Sequence, residues 1–483
     1  MLVRSVVSVA IAVTVAAVTF AAENTSSEER TAQSPSVAAP GLALVPSEVN
    51  VLMADRATRS GMLNVTVWGK PEGRAWVENW NRPEDSFQWL VEAPEAGRYE
   101  VSVLAEGSAQ AEAEIVSEGG RITFRLPKGW DELVLPESLP VPKGRSTITL
   151  RLLKPDIAKL KSLELINLAT RDDIHRRIER LRASTRWLRD AKYGIMFQWG
   201  GWGYPQYGPK KPWPKMIDDF DVDAFARMAE DTGAGYVIWS VTWCSYHFPA
   251  PIKAIDRIAP GHTSQRDLVG DLADALANRN IKLMLYYHEG HPDKDWWPKN
   301  WDYTDTDKKV KFVNNLCEVM TEVGHRYGPK IAGWFLDDGM LFYPAPFERI
   351  TKALKAGNPD RLVSYNSWIL PRLTDFQEVY MGEGFVGSAE TPVGGNGIFP
   401  AGPQKGLFAH GMFVLDGPDW GINHPDTRIN QPAFSADQAV GLVRRAAERG
   451  QTLSFNLLMY EDGSVSPASL DVLRAVRKAV RGK

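Results

Sequence analysis

The spacing of apolar side chains divides the chain into two parts with different periods. From about Glu48 to Ile166, apolar and polar residues alternate in short runs such as Phe87–Glu92 and Arg98–Leu104, and turns rich in proline and glycine separate the runs. A period of two places alternate side chains on one face of a strand. This part of the chain therefore predicts a small all-β sandwich.

From Tyr193 onward, short apolar runs alternate with segments whose apolar residues recur every three or four positions. The runs predict buried parallel strands, and the segments between them predict amphipathic helices. The predicted strands are Tyr193–Trp199, Gly235–Val241, Lys282–Tyr287, Ile331–Asp337, Leu362–Tyr365, Phe376–Met381, Gly411–Leu415 and Thr452–Leu457. The predicted helices include Asp223–Thr232, Asp267–Asn278, the segment before Gly324, and Ala436–Glu448. Together they predict an α/β fold of the (β/α)8 TIM barrel type. A doubly wound sheet fits less well, because no glycine-rich phosphate turn follows the first strand.

The same patterns, with the amino-terminal composition, predict five regions. They are a secretory signal peptide at 1–21, a disordered linker at 22–46, the sandwich at 47–168, a helical connector at 169–190 and the barrel at 191–483. Arg4, the apolar run Ser5–Phe20 and the small residue Ala21 indicate the signal peptide, and an uncleaved anchor is the alternative. We therefore expect an exported protein, periplasmic or extracellular, with no integral membrane span in the mature chain.

Composition narrows the classes of partner. The formal net charge of −3 provides no basic surface for a polyanion, so no nucleic-acid partner is expected. The 17 tryptophans suit sugar stacking as well as core packing. In the sandwich, Trp68, Trp76 and Trp80 are candidates for either role. Cys244 and Cys317 are the only cysteines, and no disulfide framework is predicted from them.

Chemistry-bearing side chains gather where the predicted barrel strands end. The fourth strand ends in two adjacent acids, Asp337 and Asp338. Carboxylates at the carboxyl end of a barrel strand are typical of active sites, although an aspartate can also merely cap a turn. Aromatic, amide and imidazole groups follow the other strands, and this mixture suits the faces and hydroxyls of a pyranose. The predicted sugar-binding residues are Gln198, Trp199, Trp202, Trp243, His247, Tyr287, His288, Trp368 and Glu390. No cofactor is predicted, and the pair His288 and His291 lacks the third ligand that a metal site needs.

Ordered motifs across residues 187–483 resemble those of a known enzyme family. They are Trp187–Gly200, Ala229–Val237, Arg266–Asp271, Leu283–Tyr287, Gly333–Asp337, and Ala447–Leu457 with Asp462–Gly463. In this order they resemble the retaining α-L-fucosidases of glycoside hydrolase family 29. The resemblance implies a barrel with an aspartate nucleophile in the Gly333–Asp337 motif. The order of strands in the sandwich resembles that of the carbohydrate-binding modules appended to glycosidases.

Two positions depart from the family's pattern. Gln198 stands where the family has a histidine, and Thr242–Phe248 replaces the family's Lys-His-His-Asp-Gly-Phe. The family's segment holds the fucose hydroxyls, and here only His247 remains to take that part. The resemblance therefore implies the fold and the nucleophile more strongly than it implies a fucosyl substrate.

The candidate acids also fit the chemistry of a retaining glycosidase. Such an enzyme needs two carboxyl groups about 5–5.5 Å apart, one attacking the anomeric carbon and one protonating the leaving oxygen. Asp337 is the predicted nucleophile, because it lies two residues beyond Phe335 and so on the same side of the strand, and Asp338 is the alternative. Glu383 is the predicted acid/base. Glu378 and Glu390 are the alternatives for that role.

The sequence thus predicts an exported, exo-acting retaining glycosidase that removes terminal α-L-fucosyl or related sugars from oligo- or polysaccharides. Two alternatives stay open. One is a glycosidase of the same fold that acts on galactosyl or modified fucosyl residues instead. The altered Thr242–Phe248 segment also motivates a carbohydrate-binding protein whose barrel has lost catalysis.

Overall fold

The computed structural model describes residues 41–67, 75–108, 110–288, 301, 309–337, 339, 343–366, 372–383, 393–402, 404–417, 419–429 and 431–482. The predicted signal peptide lies outside the described residues, and so does most of the predicted linker. Within the described residues, no helix combines the length and the apolar character needed to cross a bilayer.

The alternating runs of the amino-terminal part form two β-sheets that share one hydrophobic core. The strands are β1 (Leu42–Ala43), β2 (Asn50–Met53), β3 (Thr58–Ser60), β4 (Asn64–Val67), β5 (Ala75–Trp80), β6 (Ser86–Ala93), β7 (Gly97–Glu106), β8 (Glu112–Ser117), β9 (Gly120–Arg125), β10 (Asp131–Val134), β11 (Leu139–Val141), β12 (Gly144–Leu152) and β13 (Ala158–Asn167). One sheet has the order β1-β6-β12-β8-β9 with β3 on β6. The other has the order β10-β7-β13-β5-β4, with β11 on β7 and β2 on β13. The predicted sandwich is confirmed.

The sandwich begins earlier in the chain than the sequence predicts. The linker prediction of 22–46 is wrong at its carboxyl end, because Leu42 and Ala43 pair in parallel with Val91 and Glu92 of β6. Leu44 is buried in the sandwich core. This strand is only two residues long, too short for a periodic pattern in the sequence, but an open sheet edge supplies partners for its backbone groups.

Two short helices connect the sandwich to the barrel. They are α1 (Leu168–Leu181) and α2 (Arg186–Ala191). The side chain of Asn167 caps α1 by accepting a hydrogen bond from the backbone N–H of Ala169 at 2.9 Å. Leu104 of β7 and Ile166 of β13 point away from the sandwich core and join the hydrophobic cluster around the barrel. The sandwich therefore packs one sheet face on the barrel, and both lie within one compact unit, Pro40–Lys483.

Eight parallel strands close into the predicted barrel. They are β14 (Tyr193–Phe197), β15 (Tyr236–Ser240), β16 (Lys282–His288), β17 (Ile331–Asp337), β18 (Leu362–Tyr365), β19 (Val379–Glu383), β20 (Phe408–Val414) and β21 (Thr452–Leu457). The described helices of this part are α3 (Trp213–Asp219), α4 (Val222–Thr232), α5 (Lys253–Ile258), α6 (Leu268–Ala277), α7 (Val310–Tyr327), α8 (Phe347–Leu354), α9 (Ala436–Glu448) and α10 (Pro467–Arg481). Each strand pairs with the next and β21 pairs with β14, which closes the sheet.

The barrel strands bury both of their faces, but in two different clusters. Trp239, Leu285 and Trp334 belong to the cluster between the barrel wall and the helices. Their sequence neighbours of opposite parity, such as Met284 and Phe335, belong to the cluster that fills the barrel interior. This alternation sets which side chains reach the axis.

A buried arginine holds the amino-terminal end of the barrel together. Arg361 is inaccessible to solvent, and its guanidinium donates hydrogen bonds to the carbonyls of Ile331, Leu354, Ala356, Gly324 and Gly328 at 2.7–3.2 Å. These carbonyls lie at the ends of α7 and α8 and at the start of β17, where backbone acceptors have no partner within their own element. Burial lowers the pKa of Arg361 to about 10, so the side chain stays charged at neutral pH.

We expect Arg361→Met to lower the free energy of unfolding by about 3–5 kcal/mol, because it leaves several buried carbonyls without donors. Urea denaturation monitored by tryptophan fluorescence measures this change. Arg186→Met is the matched control, since the Arg186 side chain is 78% exposed. Equal effects of the two substitutions would contradict the role given to Arg361.

A histidine is buried inside the barrel. His410 of β20 is inaccessible to solvent, and its Nε2 lies 2.7 Å from the Tyr236 hydroxyl and 2.8 Å from the Ser454 hydroxyl. Burial lowers the pKa of His410 to about 3. An unfolded chain takes up this proton near pH 6.5, whereas the folded protein does so only at much lower pH. The contribution of neutral His410 to stability is therefore full above pH 6.5 and is lost as the pH falls.

We expect this proton linkage to cost the folded state about 2 kcal/mol at pH 5 relative to pH 7. Urea denaturation at the two pH values gives the difference. His410→Gln removes the titration, so its loss on acidification should be smaller than that of the unmodified protein. His175→Gln, at an exposed position of α1, should leave the difference unchanged.

Candidate active site

The candidate site lies at the carboxyl ends of the parallel barrel strands, where the loops carry chemistry in this fold. Asp337 is the last residue of β17 and is half-buried. Phe335 lies two residues earlier in the interior cluster, whereas Leu336 lies in the outer cluster. Strand alternation therefore turns Asp337 toward the barrel axis, as the sequence predicts.

Two neighbouring strands each present a donor to the Asp337 carboxylate. The hydroxyl of Tyr286, on β16, donates to Oδ2. The side-chain amide of Asn366, just beyond β18, donates to Oδ1 at 2.8 Å. Because each oxygen has its own donor, the carboxylate is fixed in orientation and its charge is held by hydrogen bonds.

Asn366 is itself held in place by backbone contacts. Its N–H donates to the Leu336 carbonyl at 2.8 Å, and its carbonyl accepts from the Gly339 N–H at 3.1 Å. Only 4% of Asn366 is exposed. Gly339 fits closely against the loop after β18, because a Cβ there would lie 2.8 Å from Leu373 Cδ2. The support of Asp337 thus extends into the loops that follow β17 and β18.

His288 lies beside Asp337 on the next strand. The two residues are register partners in the β16–β17 pair. His288 has the parity of Tyr286, so its side chain is on the axial side of β16. Its backbone N–H and carbonyl both bond to the Thr242 hydroxyl at 3.0 Å, which fixes the end of β16 to the end of β15. The structure thus brings the predicted sugar ligand His288 together with Asp337.

Gln198, Trp202 and Trp243 form a second group at the same end of the barrel. The Trp202 and Trp243 rings meet edge to face with centroids 5.8 Å apart. Gln198 is bridged to Gly421 beyond β20, where a Cβ would lie only 2.7 Å from the Trp243 ring. Among the described residues, Gln198 Oε1 and Trp202 Nε1 are buried without a hydrogen-bond partner. Both atoms are able to bond a polar ligand.

Asn456 adds a further amide one layer deeper in the barrel. It pairs in register with Met196 of β14 and has the interior parity of Ser454. Its Nδ2 donates to the Trp420 carbonyl at 2.9 Å, while its Oδ1 is buried without a partner among the described residues. Asn456 is not among the residues predicted from the sequence. The period of two along β21 is the signal that identifies it.

His247 lies on the rim formed by the loop after β15. Its ring stacks on that of His262 at 4.9 Å and packs against Trp213, and its Nδ1 lies 3.2 Å from the Ser245 hydroxyl. Burial lowers the pKa of His247 to about 4, and His262 and Lys210 add to this effect. The imidazole is therefore neutral near pH 7 and able to act as a hydrogen-bond donor or acceptor.

Two predicted sugar-binding residues are wrong, because they face away from the axis. Tyr287 is inaccessible to solvent in the outer cluster, where its hydroxyl bonds to that of Tyr246 at 2.9 Å. Trp199 is 1% exposed, and its indole N–H donates to the Glu461 carbonyl at 3.1 Å. Both are packing residues. The two hydrogen-bond partners of Asp337, Tyr286 and Asn366, were not predicted from the sequence. For Tyr286 the signal was present, since it alternates with Tyr287 and shares the parity of His288.

The two described candidates for the acid/base, Glu378 and Glu383, lie at opposite ends of β19. Glu378 is wrong for this role, because it precedes β19 at the amino-terminal end of the barrel. It is 3% exposed, with its oxygens accepting from Lys355 Nζ and from the backbone of Ala183 and Val363. Glu383 ends β19 and pairs in register with Met412, at the same end of the barrel as Asp337. Asp338, Trp368 and Glu390 lie outside the described residues.

The two described tryptophans among the sandwich candidates, Trp76 and Trp80, differ in how far they are buried. Trp80 is wrong as part of a sugar platform, because it is inaccessible to solvent and packs edge to face on Phe87 in the core. Trp76 is half-buried, and its ring meets that of Trp130 edge to face at 6.2 Å. Trp68 lies outside the described residues.

The described residues contain no group of three or more His, Cys, Asp or Glu side chains that could hold a metal ion. The cysteines are separate thiols, Cys244 exposed and Cys317 buried.

A comparison with protein families finds a match for part of the barrel. Residues 214–352 match the family model described as alpha-L-fucosidase. The matched segment spans β15 to β17 and includes His247, His288 and Asp337, whereas Glu383 lies beyond it. The match agrees with the resemblance found in the sequence motifs, and this part of the barrel is similar to the α-L-fucosidases. No curated protein sequence matches the chain significantly.

Several solved structures are similar to the chain at low sequence identity. A bacterial fucosidase with a monovalent iminocyclitol inhibitor is 17% identical, with a TM-score of 0.44 over 62% of this chain and 75% of that one. The α-L-fucosidase AlfC from Lactobacillus casei, in complex with α-L-fucose, is 15% identical, with a TM-score of 0.42 over 61% and 97%. The endo-fucoidan hydrolase MfFcnA4 of glycoside hydrolase family 107 is 13% identical, with a TM-score of 0.48 over 62% and 54%.

We expect Tyr286→Phe to lower kcat/KM for an aryl α-L-fucoside about ten- to hundredfold, because a hydrogen bond to a charged group is lost. Tyr287→Phe is the matched control, since it removes the same hydroxyl from the adjacent residue on the opposite face of β16. Steady-state kinetics of both variants checks the prediction. Equal activities of the two variants would show that the Tyr286–Asp337 bond does not serve the reaction.

Proposed function

We propose that the protein is a retaining exo-glycosidase that hydrolyses terminal α-L-fucosyl or closely related sugars by double displacement. The observation that carries the proposal is the Asp337 carboxylate, turned to the axis at the end of β17 and held by Tyr286 and Asn366. A fixed, charged oxygen is what a nucleophile needs in order to attack an anomeric carbon. The match of residues 214–352 to the α-L-fucosidase family supports the same assignment.

The proposed reaction has two steps. An Asp337 oxygen bonds to the anomeric carbon while Glu383 gives its proton to the departing glycosidic oxygen. Water then attacks the same carbon, Glu383 takes the proton from that water, and the bond to Asp337 breaks. The sugar leaves with its original anomeric configuration, because the configuration is inverted twice. Asp338 as the nucleophile and Glu390 as the acid/base are the alternatives.

The sugar specificity belongs to the proposal as well. His288 and neutral His247 offer nitrogens for sugar hydroxyls, Gln198 and Asn456 offer amide oxygens, and Trp202 and Trp243 offer ring faces and edges. The amide at position 198 and the altered loop after β15 make a galactosyl or modified fucosyl residue the nearest alternative. Export rests on the apolar run Ser5–Phe20, and glycan docking by the sandwich rests on its resemblance to carbohydrate-binding modules.

The test is hydrolysis of a panel of aryl glycosides by the unmodified protein and by Asp337→Asn. We expect turnover of the α-L-fucoside, loss of more than about a thousandfold in kcat in the variant, and retained configuration by proton NMR. Turnover of a galactoside alone would change the proposed sugar specificity but leave the proposed mechanism standing. Tight glycan binding with no turnover of any glycoside would overturn the proposal in favour of a carbohydrate-binding protein.

Labelling with a 2-fluoro-fucosyl fluoride identifies the nucleophile directly, because the fluorine slows hydrolysis of the glycosyl–enzyme. Peptide mass spectrometry then distinguishes an adduct on Asp337 from one on Asp338. For the acid/base, Glu383→Gln should impair substrates with poor leaving groups far more than a glycosyl fluoride, which needs no protonation. Equal impairment of both substrates would exclude Glu383 from this role.

A further inference from the structure

A cluster of charged and hydroxyl side chains joins the sandwich to the two loops that support Asp337. On the sandwich, Glu132 of β10 and Glu164 of β13 lie on the sheet face that meets the barrel, since their register partners are Leu104 and Ser102 of β7. Their partners on the barrel are Arg372, in the loop after β18, and Tyr343, in the segment after β17. We call these four residues the clamp.

The contacts within the clamp are short and shielded. Arg372 Nη2 lies 3.0 Å from Glu132 Oε2, and the same guanidinium pairs with Asp375 on its own loop. The Tyr343 hydroxyl donates to Glu164 Oε1 at 2.8 Å and lies 3.3 Å from the Ser162 hydroxyl. Tyr343 is 2% exposed.

The charges of the clamp make Arg372 its central member. The guanidinium pairs with the carboxyl groups of Glu132 and Asp375 and also attracts the Glu164 carboxyl group electrostatically. Burial raises the pKa of Glu164, and the neighbouring Glu132 raises it further. Burial also raises the pKa of Glu132. Without Arg372, these acids would repel one another across the junction between the sandwich and the barrel.

The clamp is connected to the catalytic carboxylate by packed residues. Leu373 follows Arg372 directly, is 3% exposed, and lies against Gly339. Gly339 donates its N–H to the carbonyl of Asn366, whose side chain holds Asp337 Oδ1. A shift of the loop at Arg372 therefore moves the residues that orient Asp337.

We propose that the sandwich supports the active site. Through the clamp, Arg372 and Tyr343 act as positioning residues for the Asn366–Asp337 pair. This inference rests on the proposed function only for its kinetic readout. The structural part of the inference is that contacts from β10 and β13 keep the chain at the end of β18 well ordered.

The experiment compares Arg372→Met with Arg177→Met in the full chain. Arg177 also joins the sandwich side to the barrel, since it pairs with Glu348 of α8 and bonds the Ser47 carbonyl, but neither partner lies in the loop after β18 that carries Arg372. We expect Arg372→Met to lower kcat about ten- to hundredfold with little change in KM, and Arg177→Met to change neither. Arg372→Lys should recover part of kcat, because one ammonium still pairs with Glu132.

A double-mutant cycle with Asn366→Ala tests the connection. If Arg372 acts through Asn366, Arg372→Met should reduce kcat by less than about threefold once Asn366 is alanine. Full additivity of the two losses would overturn the inference. So would an Arg372→Met variant with unchanged kcat, or one whose loss Arg177→Met reproduces.

Amide hydrogen exchange keeps the inference separate from the proposed function. In Arg372→Met, peptides that contain the Asn366 and Gly339 amides should exchange faster than in Arg177→Met, and Glu132→Gln, a milder change, should act in the same direction. Inactivity of the unmodified protein toward every glycoside would count against the proposed function alone. The amide hydrogen exchange rates would still test whether the clamp positions Asn366. Unchanged exchange at these amides would overturn the clamp even if the enzyme is active.

Discussion

The two-residue period of β17 is the constraint on which the candidate site depends. Trp334 and Leu336 are buried between the barrel wall and the helices, so Phe335 and Asp337 must face the axis. Full burial of a large apolar side chain is worth about 1.5–3 kcal/mol, and a slip of one residue would move both of these side chains into the interior and turn the acid outward. The hydrophobic packing on the outside of the barrel thus fixes the position of a charged group on its inside.

Three polar atoms at the mouth of the barrel have no hydrogen-bond partner among the described residues. Gln198 Oε1, Trp202 Nε1 and Asn456 Oδ1 are buried without partners in the described part of the chain. Buried polar atoms elsewhere in the described residues also lack partners, among them Trp239 Nε1 in the barrel wall. Three such atoms at the same end of the barrel nevertheless fit a site whose partners come with a ligand. A sugar is rich in hydroxyls and would supply such partners. Gln198 stands where the α-L-fucosidases that the sequence resembles have a histidine, so the hydrogen bonds to sugar hydroxyls at this position should differ from theirs.

Much of the fold followed from the sequence because periodicity is a local property. The eight barrel strands, the sandwich and the inward direction of Asp337 all came from spacing alone. The errors arose where a side chain's partner is distant in the chain. Tyr287 and Trp199 carry the same ring types as site residues. Alternation shows that Tyr287 and His288 face opposite sides of β16, and the closed barrel shows which of the two sides is outward. Glu378 fails because its partner Lys355 comes from the preceding helix–strand connection, and Leu42–Ala43 became a strand because β6 offered an edge.

The junction between the sandwich and the barrel has a consequence for how such a chain is assembled and divided. The sheet face that carries Leu104, Ile166 and the two clamp acids is occupied by the barrel. A boundary drawn at the connector helices would expose apolar surface on both fragments and leave Arg372 without its sandwich partner. A gene rearrangement or an engineered fragment that transfers this barrel would therefore need to include β7, β10 and β13 as well.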